Sequence, residues 1–366
     1  MKIVTIVGAR PQFVKTAIFS KEFRKNNTEI LVHTGQHYDA NMSDIFFEEL
    51  NIPKPNYNLG IGSGTHGKQT AKMLEGIEEI LIKEKPDGLL VYGDTNSTLA
   101  GALAASKLLI PVFHIEAGLR SYDMKMPEEQ NRILTDHISK LLFCPTQTAV
   151  NNLKKEGIVA GVINSGDIMY DSVLHYTSLS EKKYKDGKWI EEIEKENQIN
   201  LDIKIKNYYL ATIHRQSNTD DENNLKKTFE ALNKLNKPVI MPLHPRTLKK
   251  VKELNINVDN ITVIKPVGYL MMLYLTKNSF MVITDSGGLQ KEAYFLKVPC
   301  TTLRDQTEWV ETLEDNWNVI CKIDVEIIIK NINRNLDFLN KEQPKKFGDS
   351  NSANIIIDVL LKEFRK

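Results

Sequence analysis

The sequence predicts an α/β protein made of two open, parallel-sheet domains that face each other across one cleft. Two observations predict this fold class. Short β-rich runs alternate with helical stretches in both halves of the chain, which is the pattern of βαβ units. The chain is also 366 residues long, which is enough for two domains that each bury a core of their own.

The first half contains a series of strand candidates with helices between them. The predicted strands are residues 2–7, 30–34, 88–92, 112–115, 141–144 and 162–165. The predicted helices are residues 11–24, 68–83, 95–107 and 129–140. This regular alternation is typical of a parallel sheet.

The second half repeats the alternation. Its predicted strands are residues 208–212, 239–242, 261–265, 281–284 and 301–302, and its predicted helices are residues 222–235, 269–276, 288–295 and 325–339. Together the two halves predict two domains of similar construction.

The joint between the halves is predicted around residues 170–206, which are rich in Ser, Lys, Glu and Asp. A charged helical segment at 189–198 is interpreted as a solvated face. We therefore predict an N-terminal domain over residues 1–170 and a C-terminal domain over 171–345. The last residues, 346–366, contain an amphipathic helix that needs a surface to bury its apolar side.

Charge and composition exclude several classes of protein. Lys and Arg number 48 against 47 Asp and Glu, so a generic nucleic-acid binder is not expected. A few well-placed cations would still suffice for a phosphate-bearing small ligand. No apolar run approaches the ~20 residues of a membrane span, and no secretory leader is recognisable. The cysteines fit no metal or disulfide pattern, so we expect a cytoplasmic protein that binds no membrane.

Three carboxylates stand where a reaction centre would need them. Asp94 ends the apolar run of residues 88–93, Glu116 ends that of residues 111–115, and Glu128 lies in a turn before a helical stretch. The carboxyl ends of parallel strands line the crevice where open α/β sheets bind ligands. Carboxylates gathered there repel one another, so one can act as a base and another as an acid. The competing hypothesis is that each one caps a helix or pairs with Arg120 or Arg132.

The segment Gly8-Ala-Arg-Pro-Gln-Phe-Val-Lys15 joins the first strand to the first helix. Gly8 allows close backbone approach, and the N–H groups at the start of a helix favour an anion. Arg10 and Lys15 would add positive charge at that point. No G-x-G-x-x-G fingerprint is present, so a simple strand–helix turn with surface cations stays open as the competing hypothesis.

A second phosphate-binding candidate follows the strand at 281–284. Ser286, Gly287 and Gly288 begin a helix, so backbone amides could hold a diphosphate there. Glu292 could accept hydrogen bonds from ribose hydroxyls, and Arg304 lies in a polar loop after the next strand. An exposed glycine-rich turn without a ligand is the competing hypothesis.

Histidines end two neighbouring predicted strands. His214 with Arg215, and His244 with Arg246, follow the strands at 208–212 and 239–242. A zinc site is rejected, because no third ligand shows metal-like spacing. An imidazole beside a phosphate would offset its charge. The polar loops at residues 33–39 and 62–69 are interpreted as ligand-covering, regulatory or simply mobile segments.

These residues resemble a known family. The shared segments, in order, are Gly8-x-Arg-Pro with Lys15, Gly93-Asp-Thr-Asn96, His114-Ile-Glu-Ala-Gly-Leu-Arg120, Pro127-Glu-Glu-x-Asn-Arg132, Thr212-Ile-His-Arg215, His244-Pro245 and Asp285-Ser-Gly-Gly288 with Glu292. Together they are similar to the non-hydrolysing UDP-N-acetylglucosamine 2-epimerases. The resemblance runs from residue 2 to about residue 315.

The resemblance implies two Rossmann-like domains of the glycosyltransferase-B-like kind, with the C-terminal helix packing back on the first domain, and a homodimer. It implies that Asp94, Glu116 and Glu128 are the acid/base carboxylates and that His214 is a catalytic histidine near the phosphates. Arg10, Lys15, Ser286, Gly287 and Glu292 are similar to its UDP-binding residues.

The implied chemistry interconverts UDP-GlcNAc and UDP-ManNAc by eliminating UDP to a 2-acetamidoglycal and adding it back, for bacterial or archaeal surface polysaccharide precursors. It needs no cofactor and no metal.

Departures from the family pattern leave the sugar and the regulation open. Ala9 and Gln12 resemble members that act on UDP-2,3-diacetamido-2,3-dideoxy-glucuronic acid, and the loop at 62–69 differs from the form that holds an activating UDP-sugar. A glycosyltransferase of similar architecture, a hydrolysing relative and a nucleotide-sugar sensor are three further hypotheses. Product analysis separates them.

Overall fold

The computed structural model describes residues 1–36 and 49–364, and the statements below concern those residues. Within the predicted loop at 33–39, His37, Tyr38 and Asp39 lie outside them. The chain folds as two compact units. Unit 1 comprises Met1–Ser172 and Lys345–Lys366, and unit 2 comprises Val173–Pro344.

Unit 1 is built on a parallel seven-stranded sheet. The strands are β1 (Lys2–Val7), β2 (Thr28–His33), β3 (Tyr57–Asn58), β4 (Gly88–Tyr92), β5 (Val112–Ile115), β6 (Leu141–Cys144) and β7 (Val162–Asn164). Their order in the sheet is β3-β2-β1-β4-β5-β6-β7. The order reverses between β1 and β4, so a crevice forms between the loops that follow these two strands.

The helices of unit 1 connect and cover these strands. They are α1 (Arg10–Phe23), α2 (His66–Glu84), α3 (Asn96–Lys107), α4 (Pro127–Ile138), α5 (Gln147–Lys155) and the start of α6 (Ile168–Tyr184). Apolar side chains of α2 and α3, such as Met73 and Ala100, pack on Val4, Ile6 and Val91 of the sheet, all of them buried. Helix α2 buries one face, whereas most residues of α3 are buried.

Unit 2 repeats the plan with a parallel six-stranded sheet. Its strands are β8 (Tyr209–Thr212), β9 (Val239–Pro242), β10 (Ile261–Ile264), β11 (Met281–Thr284), β12 (Cys300–Thr302) and β13 (Asn318–Ile320). The order β10-β9-β8-β11-β12-β13 reverses between β8 and β11. The predicted fold class, with Rossmann-like parallel sheets in both halves, is therefore confirmed.

The remaining helices of unit 2 complete its βαβ units. They are α7 (Lys188–Asn197), α8 (Gln216–Thr219), α9 (Glu222–Asn233), α10 (Pro245–Glu253), α11 (Tyr269–Asn278), α12 (Gly287–Phe295) and α13 (Val325–Ile332), with 3₁₀ turns at Val310–Asn316 and Asp337–Asn340. The helix predicted over 325–339 is therefore too long. It ends at Ile332, and beyond it Arg334 turns back to donate to the carbonyl of Cys300 at 2.9 Å.

The segment between the predicted domains is more ordered than its composition indicates. Helix α6 occupies its start, and α7 carries Trp189, which is 2% exposed. The Trp189 ring stacks on Tyr208 with centroids 6.0 Å apart. The interpretation of residues 189–198 as a solvated face was therefore wrong for one side of the helix, because Trp189 and Ile193 anchor it in unit 2.

The C-terminal helix α14 (Ser352–Phe364) belongs to unit 1, where it lies against α1. Asp171 accepts a hydrogen bond from the amide of Ala353 at 2.9 Å, at the start of the helix. At its other end Phe364 meets the edge of Phe113, with ring centroids 5.8 Å apart. The apolar face of the helix is thus buried within unit 1.

The three cysteines Cys144, Cys300 and Cys321 are buried and free. Over the ranges 1–36 and 49–364, none of the helices combines the length and apolar character needed to cross a membrane.

Candidate active site

The loops after β1 and β4 meet at the switch point of the first sheet. Gly8 is required there, because a Cβ on it would lie 2.2 Å from Ser97 Oγ and 2.3 Å from Thr34 Oγ1. The first loop therefore rests directly on the start of α3. Arg10 is the first residue of α1, and its side chain lies outside the described part of the structure.

Gln12 joins these two loops from within the protein. Its Oε1 accepts from the amide of Gly8 at 2.8 Å, and its Nε2 donates to the carbonyl of Tyr92 at 2.7 Å. The side chain is 2% exposed. A glutamate carboxylate has no N–H to offer Tyr92, so Gln12 fixes the shape of the crevice and does not face a ligand.

Glu116 and Lys15 form a buried ion pair beside Gly93. Glu116 Oε2 pairs with Lys15 Nζ, and the two side chains are 9% and 7% exposed. The same oxygen would lie 3.3 Å from a Cβ on Gly93. Glu116 holds a left-handed backbone conformation with φ of +73°. A positive φ in a non-glycine residue is uncommon and can mark a functional site.

Asp94 is held by Arg132. Its Oδ2 pairs with Arg132 Nη2, and the Arg132 Nη1 donates to Glu129 Oε2 at 2.8 Å. Asn131 Nδ2 donates to the carbonyl of Asp94 at 2.9 Å. The competing hypothesis, that a carboxylate pairs with Arg132, is thus correct for Asp94. Arg132, which the sequence predicts as a substrate-binding residue, thus binds two carboxylates, and its contact with a substrate stays a prediction.

A buried network supports both loops from behind. His114 joins Asp136 Oδ1 through Nδ1 and the carbonyl of Gly93 through Nε2, each at 2.7 Å. Asp136 also accepts from the amide of Gly118 at 3.1 Å and from Arg120 Nη1 at 2.7 Å. Burial alone would raise the pKa of Asp136, but hydrogen bonds and charge from His114 and Arg120 outweigh it and lower that pKa. The backbone beside Asp94 and Glu116 is therefore fixed.

Glu128 lies in the first turn of α4, four residues before Arg132, and its side chain is exposed. Residues at that spacing share one helix face. Its neighbour Glu129 is buried and accepts from the amides of Ser121 and Tyr122 at 2.9 and 2.8 Å. Glu129 therefore has a structural role, whereas Glu128 is the exposed carboxylate of the two.

In unit 2, the start of α12 stands at the corresponding switch point. Ser286 caps the helix by accepting from the amide of Leu289 at 3.2 Å. Gly287 lies against two polar side chains, since a Cβ there would lie 2.6 Å from Glu308 Oε1 and 3.4 Å from Arg304 Nη1. Gly288 is exposed at the same helix start. The amides of this turn point along the helix axis toward any anion bound there.

Arg304 adds unused donors next to this helix start. Its Nη2 donates to Glu308 Oε2 at 3.0 Å, and its side chain is 6% exposed. In the described structure its Nε and Nη1 are buried without a hydrogen-bond partner. Unsatisfied buried donors are costly, so an anionic ligand would satisfy them. Glu292, two helical turns along α12 at most, is 7% exposed.

His214 follows β8 and its side chain is 59% exposed. Its Nδ1 lies 3.1 Å from Asp285 Oδ1, at the end of β11. Arg215 follows it and donates its amide to the same carboxylate at 3.0 Å. These residues and α12 are adjacent because β8 and β11 are paired neighbours.

His244 and Arg246 lie at the end of β9. His244 caps α10, where its Nδ1 accepts from the amide of Arg246 at 3.2 Å. Arg246 donates to Asp220 Oδ1 and Oδ2 at 2.9 and 3.1 Å. Both side chains are exposed, and the charge of Arg246 is shared with Asp220. Across residues 1–36 and 49–364, no group of His, Cys, Asp and Glu side chains is arranged to hold a metal ion.

Apart from Arg132 and Lys15, the residues that hold the candidate catalytic groups were not predicted from the sequence. Asp136, Glu129 and Asp285 are carboxylates with fixed partners, and none was singled out for a role. Asp285 could have been found, because it ends a buried strand as Asp94 and Glu116 do. Asp136 lies inside a helix, and no sequence signal marks its partnership with His114.

Comparisons with known proteins show the family to which the chain is similar. A family model described as UDP-N-acetylglucosamine 2-epimerase matches residues 21–361. A UDP-N-acetylglucosamine 2-epimerase homolog of Methanococcus maripaludis is 55% identical over 365 residues, which cover 98% of this chain and 99% of the relative. The UDP-2,3-diacetamido-2,3-dideoxy-D-glucuronate 2-epimerase of Pseudomonas aeruginosa is 48% identical, over 99% of this chain and 100% of the relative.

A solved structure extends the comparison to three dimensions. The crystal structure of Methanocaldococcus jannaschii UDP-GlcNAc 2-epimerase in complex with UDP-GlcNAc and UDP superposes with a TM-score of 0.86. It is 44% identical in sequence, and the match covers 99% of this chain and 100% of that one.

Proposed function

The chain belongs to the UDP-N-acetylglucosamine 2-epimerase family, and from this membership we propose that it interconverts UDP-GlcNAc and UDP-ManNAc by inverting C2 without hydrolysis. The observation that carries the proposal is the pair of carboxylates at the switch point of unit 1. Glu116 is bound to Lys15 and Asp94 to Arg132. The paired cations hold each carboxylate in a defined place, as proton transfer at a single carbon requires.

In the proposed reaction a carboxylate removes the C2 proton. The electrons of the C2–H bond form a C1=C2 double bond, and those of the C1–O bond leave with UDP. UDP oxygen then adds back to C1 while C2 takes a proton on its opposite face. We assign the two proton transfers to the set Asp94, Glu116 and Glu128, of which the first two lie in loops after β4 and β5 and the third in the first turn of α4.

Unit 2 is assigned the UDP group. Two features support this assignment. The start of α12, with Ser286, Gly287 and Gly288, offers backbone amides to an anion, and Arg304 has nitrogens without a hydrogen-bond partner in the described structure. Arg215, His244 and Arg246 are assigned supporting contacts, and Glu292 is assigned the ribose. Arg10 keeps its predicted role at the phosphates. Assembly as a homodimer and a cytoplasmic location also stay predictions.

A second candidate substrate is UDP-2,3-diacetamido-2,3-dideoxy-glucuronic acid, because the Pseudomonas aeruginosa relative named for it is 48% identical. Among the described cations beside the carboxylates of unit 1, the charge pairing favours the neutral sugar. Lys15, Arg120 and Arg132 are each bound by carboxylates. A carboxylate at C6 would need a cation whose charge is not already balanced.

The test is to incubate the purified protein separately with the two nucleotide sugars and to follow both by proton NMR. We expect UDP-ManNAc to form from UDP-GlcNAc until the epimers reach equilibrium, with no accumulation of free ManNAc. If only the UDP-diacetamido-uronic acid is turned over, that sugar is the substrate and UDP-GlcNAc is not. Free sugar and UDP as the main products would identify a hydrolysing enzyme and contradict the proposal.

A further inference from the structure

The imidazole of His214 contacts the buried carboxylate of Asp285. Asp285 is fully buried at the end of β11, and its Oδ1 lies 3.1 Å from His214 Nδ1. The His214 side chain itself is 59% exposed. One ring nitrogen therefore faces the protein interior, and the other is left on the exposed side of the ring.

Asp285 is fixed by more than this one contact. It accepts from the amide of His214 at 3.1 Å, from the amide of Arg215 at 3.0 Å and from Asn218 Nδ2 at 3.0 Å. The strand ends beneath it are joined by a hydrogen bond of 2.6 Å between the hydroxyls of Thr212 and Thr284. The carboxylate therefore cannot rotate away without breaking several hydrogen bonds.

The environment also keeps Asp285 ionised. Burial alone would raise its pKa, but the hydrogen bond and charge of His214 and the amides of Arg215 and His214 outweigh it, so its pKa lies below the usual value. A carboxylate is an acceptor only. The nitrogen that faces it, Nδ1, must then carry the proton.

From this geometry we infer that Asp285 is a positioning residue that holds His214 with Nδ1 protonated and Nε2 directed outward. This inference rests on the proposed function and deepens it. When the C1–O bond breaks, its electron pair moves onto a phosphate oxygen of UDP. With Nδ1–H held by Asp285, a second proton on Nε2 would let the ring donate a hydrogen bond to that oxygen. The negative charge of Asp285 offsets the positive charge of the ring. No group is transferred to the protein.

Asp285 also joins the histidine to the phosphate-binding turn. It directly precedes Ser286, the N-cap of α12. Its carboxylate binds the backbone of the loop after β8, and its own backbone leads into the first turn of α12. One residue thereby sets the distance between the imidazole and the helix amides, as carboxylate–histidine pairs do in other enzymes.

The test is a double-mutant cycle with Asp285→Asn and His214→Gln, measured by steady-state epimerisation. We expect Asp285→Asn to lower kcat at least ~10-fold, by analogy with the loss of such partners elsewhere, with KM changed less than kcat. In the His214→Gln background the same substitution should have little further effect, because the group through which it acts is gone. Equal effects in both backgrounds would overturn the inference, since a merely structural role does not depend on His214.

Asp324→Asn is the matched control. Asp324 caps α13 by accepting from the amides of Glu326 and Ile327 at 3.1 and 3.2 Å. It is a carboxylate of the same unit that lies at a helix start away from α12, so kcat should not change.

A second measurement uses the wild-type protein and needs no turnover. Nitrogen-15 NMR should show His214 protonated at Nδ1, with the signal assigned by its loss in His214→Gln. A ring protonated only at Nε2 would overturn the inference even if the enzyme is active. If His214 is protonated at Nδ1 but neither UDP-sugar is turned over, the proposed function is contradicted, while the inference about the His214–Asp285 pair still holds.

Discussion

Replacing Glu116 by glutamine is expected to lower kcat for C2 epimerisation by about 10²–10⁴-fold, the usual contribution of general acid–base catalysis. An amide of the same shape cannot exchange the proton, although it can still accept a hydrogen bond from Lys15. UDP binding, measured by calorimetry, should change little because the nucleotide is assigned to unit 2. Asp94→Asn has the same expected result.

The matched control is Glu84→Gln. Glu84 also pairs with a lysine in unit 1, since its Oε2 lies 2.8 Å from Lys2 Nζ. Lys2 begins β1, so this pair lies at the amino-terminal ends of the strands, whereas the candidate site follows their carboxyl ends. Thermal unfolding of both variants separates lost catalysis from lost folding. Near-normal turnover in a folded Glu116→Gln protein would show that the carboxylate has been given the wrong role.

Replacing Glu292 by alanine is expected to weaken UDP binding about 10- to 100-fold, because hydrogen bonds to a charged group are worth about 1.5–3 kcal/mol. Glu292 is buried in α12, close to the turn assigned to the diphosphate. The sharper readout compares UDP with 2′-deoxy-UDP. The wild-type protein should prefer UDP, and the variant should bind the two ligands equally.

Glu230→Gln serves as the control for this measurement. Glu230 pairs with Lys234 on the exposed side of α9 in the same unit, at 2.8 Å. UDP affinity and the preference for the 2′-hydroxyl should stay as in the wild type. If Glu292→Ala kept the full preference for UDP over 2′-deoxy-UDP, the ribose contact would have to be assigned to another residue.

The fold class could be predicted from the sequence because long apolar runs and helical spacing recur with the right lengths. β1, β4, β5, β6, β9 and β11 begin and end at the predicted residues. The short strands β3 and β13 were missed, since a strand of two or three residues has no measurable periodicity.

The candidate site was only partly predictable, for a different reason. Asp94 and Glu116 directly follow strands. In a parallel sheet the carboxyl ends of all strands lie on the same side, so these residues were expected to lie close together. Arg132 could be named as a partner for one of the carboxylates. Lys15 could not be assigned to Glu116, because which loops meet follows from the sheet order and not from the chain order. The pairing of β8 with β11 likewise brings His214 to Asp285 across 71 positions of sequence.

The central claim is that C2 loses and regains its proton while UDP departs, and its most direct test is proton NMR of the nucleotide sugar after incubation in deuterated water. We predict that the C2–H signal disappears from both the gluco and the manno epimer as deuterium enters at C2, in a reaction that Glu116→Gln abolishes. Interconversion with full retention of the C2 proton would contradict this claim.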